Sequence, residues 1–316
     1  MASPASPAHP AVAFLGPAGT FTEQALYTQS DLTHGRMQPI ASIPEVLHTV
    51  AEGHADIGFV PIENAIEGTV NLTLDTLAFD LDLLIRREVV IGINLNLLAP
   101  AGVRLADITR VASIPVATAQ CWKYLHDHLP GVQIDAANST AEAAEHIARD
   151  ADGHSAAIAP ARSAEVYGLD ILAADIEDHP ENKTRFVAVA RDGVPAPSGH
   201  DKTSIVVFQR ADVPGSLLAI LQEFAARSIN LSKLESRPTK VSLGDYCFII
   251  DLDGHIDDEL VADALRAIHA KQAQVKFLGS YPAAGEHGAA VREEVQASWR
   301  LADEWISRLR GQILSR

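Results

Sequence analysis

Residues 203 to 281 run strand, helix, strand, strand, helix, strand within about 80 residues, and few folds satisfy that order. The strand "TSIVVFQR" meets the breaker "ADVPGS", and the helix "LLAILQEFAARS" leads to the strand "INLSKLESRP". After the turn "VSLGD" come the strand "YCFIIDLDGH", the helix "DDELVADALRAIHAK" and the strand "QVKFLGSY". This βαββαβ series predicts a ferredoxin-like α+β domain. Just before it, "DGVPAPSGHDK" (192–202) concentrates Pro, Gly and Asp between ordered-looking segments and predicts a domain boundary.

The preceding part of the chain has a different rhythm. Short apolar runs alternate with helical periodicity, the pattern of an α/β domain. "AVAFLG" (11–16) reads as a strand, and the helix "TFTEQALYTQ" follows, with Thr20 or Thr22 able to cap it. "ADIGFVP" (55–61) is a second strand stopped by Pro61, and "TVNLTLDTLAF" predicts a helix from Thr69. Beyond "IRREVVIGINLNLLAP" a new cycle contains "QCWKYLHDHL", "STAEAAEHIARD", "HSAAIAPARSAEVYG" and "TRFVAVAR", so two α/β lobes are expected.

The chain has 316 residues, 47% of them apolar, which is enough for two domains or more. Lys+Arg 25 against Asp+Glu 41 gives a net charge of -16, which leaves no basic surface for a nucleic-acid backbone. Cys121 and Cys247 lack metal-ligand spacing and suit a reducing compartment as buried thiols. The start "MASPASPAHP" has neither a basic nor an apolar signal region and reads as a disordered tail over residues 1–11, and no apolar run reaches membrane-spanning length. A cytoplasmic location is expected.

Four segments of the α/β part place polar groups where strands end or helices begin, the usual place for ligands in open sheets. "GPAGTFTEQA" (16–25) sets Gly19 and Thr20 before a helix N-terminus, whose free N–H groups favour an anion. "PIENAIEGTV" (61–70) offers Glu63 and Asn64 after a strand, with Gly68 leading on; "NSTAEAA" (138–144) offers Ser139 and Thr140. The fourth, "PENKTRFVAVAR" (180–191), puts Lys183, Thr184 and Arg185 at the entrance of a strand that is buried from Phe186 on. That triplet is either a solvated strand end or a pocket for a small anion. "GPAG" lacks the dinucleotide glycine pattern and the phosphate-loop lysine, and His126 and His128 lack the partners of a zinc site.

The stretches "FLGPAGTFTEQA", "VPIENAIEGTV", "YGLDILAADIEDHPENKTRFVAV" and "PGSL…LESRP" resemble, in order and spacing, those of the prephenate dehydratase family with its C-terminal ACT domain. The resemblance covers residues 12 to 281 and implies a two-lobed catalytic domain, similar to periplasmic binding proteins, over 12–192 and an ACT regulatory domain over 203–282. No chorismate mutase bundle precedes residue 12, so the monofunctional form is expected. The implied reaction turns prephenate into phenylpyruvate, water and carbon dioxide in phenylalanine biosynthesis, with no metal and no redox cofactor.

In that family Thr184-Arg185-Phe186 matches the catalytic signature. Thr184 is expected to donate to the departing oxygen, and Arg185 to clamp the side-chain carboxylate of the substrate. Gly19, Thr20, Asn64, Gly68, Ser139 and Thr140 are expected substrate contacts, while Glu63 is either a second acid or a cap for backbone groups. The chain departs from the family at Ala65, where a serine is common, and at Ile114-Pro115, where a His-Pro pair is common. Phenylalanine is the expected effector. It would be held by Asp212, Pro214, Gly215, Ser216 and Leu217, whose helix start offers N–H groups, and by Glu235, Ser236, Arg237 and Pro238 of a neighbouring ACT domain.

A homodimer or homotetramer is therefore expected. The tail from residue 286 to 316 carries an apolar stripe from Val291 to Ile313, and subunit contact is its expected use. Two other functions compete: an arogenate dehydratase, and a non-catalytic binder or sensor of small acids.

Overall fold

The computed structural model describes residues 10–209, 214–240, 245–271, 274–284 and 304–312, and the chain divides into two compact units, Met1–Gly193 and Val194–Arg316. The first unit opens with the strand Val12–Leu15 (β1), the helices Phe21–Tyr27 (α1) and Ser30–Thr33 (α2), the strand Met37–Ile40 (β2), the helix Ile43–Ala51 (α3) and the strand Ile57–Asn64 (β3). The two-residue strand Gly68–Thr69 (β4) folds back on β3, and the helix Asn71–Asp75 (α4) runs on into a π-helical turn, Thr76–Asp80. The helix expected from Thr69 thus opens at Asn71, because Thr69 is held in strand pairing opposite Glu63. Leu84–Gly92 (β5) then leaves this lobe.

The second lobe follows without a break: strands Asn96–Ala99 (β6) and Arg110–Ser113 (β7), helices Pro115–Gln120 (α5) and Trp122–His128 (α6), strand Gln133–Ala136 (β8), helix Thr140–Asp150 (α7), strand Ser155–Ala159 (β9), helix Ala161–Tyr167 (α8) and strand Asp170–Ala173 (β10). The chain returns as Lys183–Ala190 (β11), which inserts between β3 and β5. Among the described residues the first lobe holds a six-stranded sheet ordered β2-β1-β3-β11-β5 with β4 attached to β3. The second holds a five-stranded sheet ordered β10-β6-β9-β7-β8.

Each lobe has its own core. Phe14, Leu26, Phe59, Val89 and Phe186 fill the first, and Leu97, Val111, Leu125, Ala156 and Ile158 fill the second. β11 carries an unbroken apolar run because it is central and covered on both faces, with Phe186 to Ala190 all buried.

The second unit begins with the strand Asp201–Phe208 (β12), followed by the helix Ser216–Ala225 (α9), the strands Leu231–Pro238 (β13) and Tyr246–Asp253 (β14), the helix Glu259–Lys271 (α10) and the strand Gln274–Pro282 (β15). Its four-stranded sheet is ordered β13-β14-β12-β15 and is antiparallel at every pairing, as the βαββαβ reading requires. Both helices bury their apolar stripes, including Ile220, Phe224, Val261 and Ile268, on Ile205, Val207 and Ile250 of the sheet.

Of the tail, residues 304–310 are helical, with Trp305, Ile306 and Leu309 exposed. The rest of its stripe, Asp212 and the stretch 1–9 lie outside the described residues. No helix among the described residues is long and apolar enough to cross a membrane.

Candidate active site

β1 is parallel to β3, and β11 runs against both β3 and β5. The loop after β1, the end of β3 and the start of β11 therefore meet along one edge of the first sheet. In the second lobe β7, β8 and β9 are parallel, and α5, α7 and α8 follow their carboxyl ends. Side chains from α5 and α8 reach the first lobe's edge, so the carboxyl ends of the two sheets face each other, where open α/β sheets bind ligands.

Strand register brings Thr184 of β11 directly opposite Asn64 of β3. Asn64 Oδ1 accepts hydrogen bonds from the backbone N–H groups of Ile66 and Glu67, both at 2.9 Å. A carbonyl oxygen alone can accept both, so the amide orientation is fixed and Nδ2 must point the other way. It donates to Thr184 Oγ1 at 2.8 Å. Thr184 is buried, at 8% exposure, and among the described residues its hydroxyl makes this one hydrogen bond, as acceptor. Its own proton remains available for donation to a ligand.

Arg185 projects from the opposite face of the regular strand. Its Nη1 lies 3.3 Å from Glu63 Oε2 and its Nε 2.6 Å from Glu88 Oε2, and both Arg185 and Glu88 are buried. Two protein carboxylates thus lie beside this guanidinium, on the strand face away from Thr184, where a substrate carboxylate was expected. Glu63 Oε2 accepts from Arg185 Nη1 at 3.3 Å, a partner that neither of its expected uses named. Phe186 returns to the face of Thr184 but inside the core, 1% exposed and stacked on Phe59 with centroids 5.7 Å apart. From there it supports the strand that carries Thr184.

The "GPAG" loop joins the two lobes. Thr20 caps α1, accepting from Glu23 N at 3.3 Å and donating to Leu15 O at 3.2 Å. Gly19 N donates to Glu23 Oε2 at 2.6 Å, while the carbonyls of Ala18 and Gly19 accept from Tyr167 Oη (2.8 Å) and Ser163 Oγ (2.7 Å) of α8. Arg162 Nε adds a bond to Glu23 Oε2 at 3.3 Å. Gly19 sits at φ +86°, and a Cβ there would come within 3.1–3.2 Å of Tyr167 and Ser163. This loop is a clasp between the lobes, built on Gly19 and Thr20.

Gly68 forms the exposed hairpin end opposite Asn64. Ser139 caps α7 by accepting from Glu142 N at 2.9 Å, and Glu142 Oε2 accepts in turn from the backbone N–H of Asn138, the residue before the cap, at 3.0 Å. Thr140 opens the helix and is buried.

Two residues that the motifs did not single out complete the arrangement. Asn182 is 1% exposed, and its Oδ1 accepts from Asn64 Nδ2 at 3.0 Å. Its Nδ2 donates to Gln120 Oε1 of α5 at 3.2 Å. Cys121, beside Gln120, is buried, and desolvation, reinforced by Glu177 and Asp178, pushes its thiol up to about 12, so it supplies no thiolate nucleophile.

In the second unit, Pro214 and Gly215 (φ +87°) are exposed ahead of α9, and Ser216 Oγ accepts from Gln209 Nε2 at 2.5 Å. Leu217 packs against the core, and Glu235, Ser236, Arg237 and Pro238 end β13. β12 and β13 both run against β14, so these segments lie at one end of the sheet with a strand between them.

A family profile described as prephenate dehydratase matches residues 12–194, and one described as ACT domain matches residues 203–270. The prephenate dehydratase of Mycolicibacterium gilvum (strain PYR-GCK) is 43% identical over 315 residues, covering 95% of this chain and 98% of that one. The crystal structure of prephenate dehydratase in complex with L-Phe from Arthrobacter aurescens superposes with a TM-score of 0.86 at 41% identity, over 95% of this chain and 99% of that one. GqqA, presented as a novel type of quorum quenching acylase, superposes with a TM-score of 0.77 at 27% identity, over 86% and 98% of the two chains.

Proposed function

The chain belongs to the prephenate dehydratase family, and from that premise we propose that it is a carbon–oxygen lyase that converts prephenate to phenylpyruvate, water and carbon dioxide. The ring carboxylate leaves as carbon dioxide, its bonding electrons enter the ring, and the C–O bond at the opposite ring position breaks. Aromatisation supplies the drive, so the protein has to orient the substrate and assist the departing oxygen. The observation that carries this reading is the bond from Asn64 to Thr184. It fixes the hydroxyl with its proton outward, and a fixed donor in a closed cleft acts strongly on developing negative charge. The first turn of α7, with Thr140 at its head, is the candidate holder of a substrate carboxylate from the second lobe.

The second unit is proposed to hold L-phenylalanine at the loop of Pro214 to Leu217, in paired ACT domains of a homo-oligomer. Support comes from the αL glycine before α9 and from the L-Phe complex of the Arthrobacter relative.

The likeness to an acylase suggests a second reading, with Thr184 as nucleophile. A nucleophilic hydroxyl needs a base to take its proton. The group at 2.8 Å is a donor carboxamide, which argues for proton donation instead.

The test is incubation with prephenate and, separately, arogenate, following phenylpyruvate absorbance in alkali and phenylalanine by chromatography. Thr184→Ala is expected to lower kcat with prephenate by roughly 10²-fold while the melting temperature holds. Near-normal turnover by a folded Thr184→Ala protein would remove Thr184 from the chemistry.

A further inference from the structure

We propose that Asn182 and Gln120 are positioning residues, forming a one-way carboxamide relay that crosses between the lobes and sets the Thr184 hydroxyl for donation; the inference rests on the dehydratase reading of that hydroxyl. The direction of every bond follows from its two ends. At one end Asn64 Oδ1 is held by two backbone N–H donors, so its amide nitrogen faces Thr184 and Asn182. The Asn182 atom that meets it must then be the oxygen, at 3.0 Å, and Asn182 turns its own nitrogen to Gln120 Oε1 at 3.2 Å. At the other end Gln120 Nε2 reaches Glu67 Oε1 at 3.4 Å, and a carboxylate only accepts. Both ends demand the same polarity, so no amide in the chain can turn over without setting donor against donor or acceptor against acceptor.

Asn182 lies at the crossing between lobes, where its backbone carbonyl accepts from Ile93 N at 2.9 Å. Gln120 belongs to the second lobe, and its backbone carbonyl is fixed by Asp178 N at 2.6 Å. Asn64 and Glu67 belong to the first. The relay therefore reports the closeness of the two lobes to the one hydroxyl that donates. Asn182 is nearly inaccessible at 1%, so it acts through its neighbours and not on the substrate.

A double-mutant cycle reads this directly. Asn182→Ala in the otherwise native chain is expected to lower kcat about 10-fold with KM changed less than about 2-fold, because a loosened donor is felt only as charge develops. In a Thr184→Ala background the same change is expected to lower kcat by less than about 2-fold, since the group it positions is gone. Gln120→Ala, at a half-buried helix end, gives a smaller loss with the same cancellation, and it carries the test if Asn182→Ala does not fold. Losses that multiply in either cycle overturn the relay while leaving the dehydratase reading intact. Absence of prephenate turnover by the native protein overturns both.

Discussion

Arg185 is 9% exposed with Glu63 and Glu88 within 3.3 Å of its guanidinium, and the Glu88 side chain is 1% exposed, so the arginine neutralises a carboxylate that water does not reach. Arg185→Lys keeps the charge, but an ammonium is a compact point donor that cannot serve two carboxylates on separate edges of a planar fork. Breaking a buried pair outright costs about 3–5 kcal/mol. The lysine variant, which keeps one contact, is expected to lose roughly 2 kcal/mol in a denaturant titration. Its KM should change less than about 2-fold. A stable variant with a tenfold higher KM would return Arg185 to the role of substrate clamp. Thr184 is legible only through the family resemblance of its triplet, since a hydroxyl at a strand entrance is by itself either a solvated strand end or part of an anion pocket. Asn182 and Gln120 are not legible, since their meaning lies in partners 118 and 62 positions away. The two carboxylates beside Arg185 are not legible for the related reason that strand alternation, not motif membership, decides which face it serves.

Among the elements, the clasp of the "GPAG" loop on α8 is a contact that a motif reading does not reveal. A glycine-rich loop before a capped helix looks the same in sequence whether its carbonyls meet another lobe or its N–H groups meet an anion. Here Glu23 takes the Gly19 N–H and Ser163 and Tyr167 take two carbonyls. Ser163→Ala with Tyr167→Phe removes two lobe-to-lobe hydrogen bonds of about 1 kcal/mol each, which for a domain of this size is a fall in melting temperature of roughly 4–8 °C. Because the lobes would close less firmly, KM for prephenate is expected to rise several-fold. An unchanged melt and KM would show that the clasp contributes nothing to closure. The ferredoxin-like order is readable because its strands are short and bounded by breakers such as Pro214-Gly215, with apolar runs in β12 and β14 and strict alternation in β13. The join between lobes was harder, since Arg86, Arg87 and Glu88 interrupt the apolar run of β5, and Arg87 is there to meet Asp31 at 2.9 Å.

At the level of the whole molecule, a net charge of -16 repels a substrate with two carboxylates, so binding must come from local donors in the cleft and not from long-range steering. The same would hold for the carboxylate of the amino-acid effector proposed at the start of α9. If L-phenylalanine binds the second unit and weakens prephenate binding to the first, linkage requires the reverse effect by the same factor, whatever the structural route. Couplings of this kind run to about 5–150-fold. The Thr184→Ala protein makes both halves measurable, because it is expected to bind prephenate while turning it over roughly 10²-fold more slowly. Calorimetry of L-phenylalanine with and without saturating prephenate, and of prephenate with and without saturating L-phenylalanine, is expected to give two affinity ratios that agree and exceed about 5. If the effector lies between paired ACT domains, the apparent L-phenylalanine affinity should also fall as the protein is diluted through its dissociation, which sedimentation follows on the same samples. Absence of L-phenylalanine binding removes the effector assignment. Binding at full strength by a dilute monomer keeps the effector but places it within a single chain, and a ratio of one leaves a bound amino acid that does not regulate this reaction.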